Sequence, residues 1–128
     1  MAVKKILIVD DEVGITKLLK IALERTGRYN VFCENKGSKA LSVIQSFLPD
    51  LILLDVNMPD TSGGEILAAI HKHPEMKKIP VIFLTGMISD DEVQSGLTIT
   101  GHPVMAKPIN IEKLIGCIEE NLGPSARV

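Results

Sequence analysis

Short, unbroken apolar runs recur along the chain, and each ends at a polar residue or a turn. Ile6-Leu7-Ile8-Val9 stops at Asp10-Asp11-Glu12. Leu51-Ile52-Leu53-Leu54 stops at Asp55 and lies between the turn chemistry of Pro49-Asp50 and Met58-Pro59-Asp60. Val81-Ile82-Phe83-Leu84 stops at Thr85, and the brief Val104-Met105-Ala106 stops at Lys107-Pro108. Tyr29-Asn30-Val31-Phe32-Cys33 is a weaker run of the same kind. Continuous rather than alternating apolar character predicts strands buried on both faces.

Between these runs the spacing changes to that of a helix. Ile15, Leu18, Leu19, Ala22 and Leu23 predict a first helix, closed by Gly27. Ala40, Leu41, Ile44 and Leu48 predict a second, capped by Ser38. Ile66, Leu67 and Ile70 predict a third, after Gly63-Gly64 and ending near Pro74. Ser89-Asp90-Asp91-Glu92 is an acidic start for a short, poorly patterned helix running to Gly96. Leu114, Ile115 and Ile118 predict a last helix, capped by Asn110 and stopped by Gly123-Pro124. Strand and helix alternate throughout, which predicts an α/β domain with a parallel sheet and helices on both faces. The expected division is one domain over residues 1–123 and a short tail over 124–128.

Composition narrows the function rather than the fold. The chain has 128 residues, 45% hydrophobic and 23% charged, as expected for one globular domain. A net charge of -2 and only 3% aromatic residues give no reason to expect nucleic-acid binding. No apolar run approaches the ~20 residues that cross a bilayer, and the start is too short for a signal peptide. Cys33 and Cys117 lie far apart without metal-site spacing and read as free thiols, so a cytoplasmic protein is expected.

The candidate chemistry lies at the strand ends: Asp10 and Asp11, Asp55, Thr85 and Lys107. Parallel strands deliver their carboxyl ends to one edge of a sheet, where ligands bind. Clustered carboxylates repel one another unless a cation joins them, and a hard divalent ion with oxygen ligands, Mg2+, suits such a set. With Thr85 as a hydroxyl donor and Lys107 as a mobile charge, the set would surround a phosphoryl group on Asp55. Each residue alone has a plainer role: the acidic run as a charged helix start, Asp55 as a loop cap, Thr85 as structure, Lys107 as a solvated lysine. Joint occurrence at the ends of several strands favours the chemical reading. His71-Lys72-His73 is read as exposed, because residues two apart on a helix do not face each other. The sequence has no Gly-rich phosphate loop and no nucleophile elbow.

On the acidic pair Asp10-Asp11, the segment Leu54-Asp55-Val56-Asn57-Met58-Pro59, Thr85-Gly86 and Lys107-Pro108, the chain resembles the receiver domain of bacterial two-component response regulators. The resemblance runs from residue 5 to about residue 122. It implies a flavodoxin-like, doubly wound fold with a five-stranded parallel sheet in the order 2-1-3-4-5. It also implies that Asp55 is the phosphoacceptor. Asp11 would ligate Mg2+ directly, Asp10 mainly through water, and Asn57 through its backbone carbonyl. Thr85 and Lys107 would each bind a phosphoryl oxygen, and the Lys107-Pro108 bond would be cis.

A histidine kinase or histidine phosphotransfer protein would be the donor, with catalysis of transfer and of slow autodephosphorylation residing in the receiver. The output would be a changed surface read by a protein partner, with no membrane or nucleic acid involved. The chain departs from the family pattern at Val104, where a Tyr or Phe is usual, and at Thr100-Gly101-His102-Pro103, which lacks the usual Gly-Ala pair. A receiver-fold interaction module that phosphate does not switch is the alternative. A haloacid-dehalogenase-type phosphatase is disfavoured, because Asn57 stands where that family uses a second Asp.

Overall fold

The apolar runs form the sheet. The computed structural model describes residues 3–86, 98–99 and 101–122. Strands β1 (Lys4–Val9), β2 (Tyr29–Glu34), β3 (Leu51–Asp55), β4 (Val81–Thr85), β5 (Thr98–Ile99) and β6 (His102–Ala106) join in the order β2-β1-β3-β4-β6-β5. All pairings are parallel except that of the two-residue β5 with β6. The five parallel strands thus follow the expected 2-1-3-4-5 order. The short antiparallel strand at the far edge was not expected.

Successive strand residues point to opposite faces, so each apolar run feeds two cores. On one face Ile6, Ile8, Leu53, Ile82, Leu84 and Met105 pack with Leu19 and Leu23 of α1 (Val13–Glu24) and with Leu114 and Ile118 of α4 (Ile111–Leu122). On the other, Leu7, Val9, Ile52, Leu54, Val81, Phe83 and Val104 pack with Ile44 of α2 (Ala40–Phe47) and with Ile66, Leu67 and Ile70 of α3 (Gly63–His71). Each fully buried Leu or Ile contributes about 1.5–3 kcal/mol. Coverage on both faces is what lets the strands be apolar throughout.

Local details depart from the sequence expectation in three places. Leu18 is 68% exposed and Leu48 is 61% exposed, so neither belongs to the core stripe of its helix. Leu48 instead holds the C-cap of α2 at φ 51. Ser38 does not cap α2; it lies in the 3-10 turn Gly37–Lys39, and its N–H donates to Asp60 Oδ2 at 2.8 Å.

The cap that the sequence reading overlooked is Ser62, whose Oγ accepts the Glu65 N–H at 3.1 Å and starts α3. Asn110 caps α4 as expected, accepting the Lys113 N–H at 3.0 Å. Gly27, at φ 77, closes the turn after α1. The helix expected over 89–96 and the tail over 124–128 lie outside the described residues. Among the described residues no helix is long and apolar enough to cross a membrane.

Candidate functional site

Strand register creates the site. Val9 pairs with Leu54, so the next residue of the β1 chain, Asp10, emerges beside Asp55, the last residue of β3. The Lys107 N–H continues the β4–β6 ladder by donating to the Thr85 carbonyl at 2.8 Å, which brings the end of β6 to the same edge. One carboxylate oxygen from each of Asp10, Asp11 and Asp55 lies within 4.8 Å of the others. Asp10, Asp55 and Thr85 are buried.

Lys107 reaches into this cluster. Its Nζ is 2.8 Å from Asp10 Oδ2, 2.8 Å from Glu12 Oε1 and 3.5 Å from Asp55 Oδ1. Asp10 Oδ1 accepts the Glu12 N–H at 3.0 Å. Asp10 Oδ2 has no aligned hydrogen bond despite its burial, and it faces the lysine only as a charge. Asn35 braces the loop from below, donating to the Asp10 carbonyl at 2.8 Å and to Thr16 Oγ1 at 3.1 Å. The Asn57 N–H approaches Asp55 Oδ1 at 3.4 Å.

Burial, reinforced by the Asp10 charge and opposed by Lys107, pushes the Asp55 carboxyl up to about 6. Burial alone would pull Lys107 down, but Asp10, Glu12 and Asp55 together outweigh it and hold its ammonium above the ordinary lysine range. The site therefore carries an excess of negative charge, relieved among the described residues by the half-buried Lys107. An all-oxygen donor set with an unaligned buried acceptor suits a hard divalent cation.

The loop after β3 is tied to its helix. Asn57 forms a bridge with Ser62, Gly63 N–H donates to the Val56 carbonyl at 2.8 Å, and Thr61 Oγ1 donates to Glu65 Oε2 at 2.8 Å. An open cleft of about 380 Å³ beside Asp11 is lined by Asn35, Lys36, Ser38, Pro59 and Asp60.

Asp10, Asp11, Asp55 and Lys107 converge, and Thr85 and Asn57 lie at the same edge on the adjoining strand and loop ends. The histidines stand apart from this edge. His71 is exposed, His73 is half-buried rather than exposed, and the His71 ring faces His102 at 5.9 Å. Sequence reading missed the partner of Glu12. Its position in an acidic run was visible, but nothing local connects it to Lys107.

This geometry places the molecule among receiver-type domains. The chain belongs to the response regulator receiver domain family, whose model matches residues 6–119. Solved structures agree. The chemotaxis response regulator CheY4 of Vibrio cholerae is 30% identical with a TM-score of 0.80, over 94% of this chain and 99% of that one. A CheY-like receiver domain protein of Methanospirillum hungatei is 30% identical with a TM-score of 0.76, over 94% of each chain. A response regulator of Desulfuromonas acetoxidans is 28% identical with a TM-score of 0.79, over 93% of this chain and 96% of that one.

Proposed function

We propose that this receiver domain acts in the cytoplasm, accepts a phosphoryl group on Asp55 from a histidine kinase or histidine phosphotransfer protein, and signals through the surface change that follows. The observation that carries this reading is the convergence of Asp10, Asp11 and Asp55 around a lysine at the carboxyl edge of the sheet. In the transfer an Asp55 carboxylate oxygen bonds to phosphorus as the P–N bond of phosphohistidine breaks. The bonding pair stays with the imidazole, which takes up a proton from solvent. Dephosphorylation is the attack of water on the same phosphorus as the Asp55 O–P bond breaks, releasing inorganic phosphate and returning the carboxylate.

Mg2+ fits the donor set: Asp10, Asp11, Asp55 and the Asn57 backbone carbonyl would hold it, Asp11 directly and Asp10 mainly through water. When bound, it would offset the negative charge that otherwise repels an anionic donor. Lys107 supplies a second positive charge for a phosphoryl oxygen, and the Thr85 hydroxyl supplies a hydrogen bond to another. The test is intact-mass analysis after incubation with acetyl phosphate. One phosphoryl group should appear with Mg2+ and none without it, and Asp55→Asn should gain nothing. Equal labelling of that variant would move the acceptor elsewhere.

A further inference from the structure

Glu12 occupies the N-cap position of α1, yet its side chain makes no capping bond. Its backbone is fixed: the N–H donates to Asp10 Oδ1 at 3.0 Å, and the carbonyl accepts from Ile15 and Thr16 at 3.1 Å each. A glutamate at a helix start ordinarily faces water and favours the positive end of the helix dipole. This one reaches across the site to a residue 95 positions away, accepting a 2.8 Å hydrogen bond from Lys107 Nζ. Of the three carboxylates around that ammonium among the described residues, Asp55 is the most distant, at 3.5 Å.

We infer that Glu12 is a positioning residue that competes with the phosphoryl group for Lys107 and sets the threshold for activation. The inference rests on the reading of Asp55 as acceptor and Lys107 as its counter-charge. Asp10 is fully buried and cannot withdraw, whereas the Glu12 side chain is 52% exposed and regains water when it lets go. An exposed carboxylate makes a weak ion pair, and that suits a contact that must be broken on each cycle. Lys107 has a flexible stem and rotatable donors, so it can exchange Glu12 for a phosphoryl oxygen without leaving Asp10. Until a phosphoryl group arrives, Glu12 draws the ammonium toward the mouth of the site and away from Asp55.

The test uses the full chain, saturating Mg2+ and beryllofluoride as the phosphoryl probe, with affinity read by fluorine NMR. Glu12→Gln removes the charge at nearly constant shape, and Glu12→Asp keeps the charge but shortens the reach to Lys107. Both should bind beryllofluoride about 2- to 5-fold more tightly than the parent, the worth of an exposed ion pair. A gain in Glu12→Gln alone would mean that overall charge acts rather than the contact, and would overturn the inference. So would affinity equal to the parent's in both variants. Failure of the parent itself to bind beryllofluoride would instead remove the phosphoacceptor reading on which the inference stands.

Discussion

Gly63 packs directly against the backbone of Asp55: a Cβ on Gly63 would stand 2.6 Å from the Asp55 carbonyl oxygen and 3.2 Å from the Phe83 ring. The start of α3 is thereby pressed onto the end of β3, beneath the proposed acceptor. Neither obstacle is the free end of a flexible chain. Gly63→Ala should cost about 1–3 kcal/mol, the usual price of overpacking. Gly64, whose Cβ would meet only Ser62 Oγ at 3.8 Å, should accept Ala with no loss or a gain of about 0.5–1 kcal/mol. Urea melts of the two variants should separate them, and equal stabilities would contradict the packing.

The metal-free site destabilises the fold above mildly acidic pH. Asp55 titrates at about 6 in the folded chain against 3.8 as the ordinary value, so the folded state holds its proton more tightly. No penalty exists below the unfolded value; it grows as pH rises through the interval and is complete above the folded value. Asp55→Asn should therefore stabilise the Mg2+-free protein by about 1–3 kcal/mol at pH 8 and by nothing at pH 3.5. Denaturant titrations in chelator at both pH values check this. A gain independent of pH would mean that lost packing or pairing, not ionisation, governs the variant.

The outer edge of β2 is closed by α1. Glu24 Oε2 accepts the Val31 N–H at 2.9 Å and Lys20 Nζ donates to the Val31 carbonyl at 2.7 Å, so one helical pair satisfies both backbone groups. An open edge beside the 45% exposed Phe32 would be a template for a second chain. The Val31 N–H, against burial and aided by Lys20, holds the Glu24 carboxyl below its usual range. Its contribution is present above the unfolded value and is lost as pH falls through the folded one. Glu24→Ala should cost about 1 kcal/mol and increase self-association in sedimentation at high concentration. Association no greater than the parent's would show that the clamp does not guard the edge.

Activation should not pass through an aromatic rotamer on β6. Val104 is buried and pairs in register with Phe83 of β4, whose ring meets His102 edge-on at 6.0 Å. The aromatic bulk here comes from the neighbouring strand, and a β-branched valine is stiff at χ1. Methyl NMR should show Val104 keeping one rotamer on beryllofluoride binding. Amide shifts should concentrate near Asp55 and over residues 86–96. A two-state flip of the Val104 methyls would restore the rotamer route.

The sheet was legible in the sequence because burial on both faces leaves a local mark. The runs at 6–9, 51–54 and 81–84 are apolar throughout, and each sends its next residue to the same edge. The clustered acids and the lysine were legible for the same reason, since position at a strand end is a property of the chain. The Asn110 cap was legible too, because a cap bonds within a few residues of itself.

What tertiary structure decided are relations between distant segments. Leu18 and Leu19 are equivalent by period, yet only Leu19 meets the sheet, because the docking angle of α1 chooses the face. Ser38 and Ser62 are both plausible caps, and the contact of Asp60 with Ser38 turned the first into a loop brace. Gly63 differs from Gly64 only through the Asp55 carbonyl beneath it. Glu12 meets Lys107, and Glu24 meets Val31, only once strand register and helix docking have set them side by side. Hydrophobic period is written into each segment, whereas the partner of a polar side chain exists only after those segments pack.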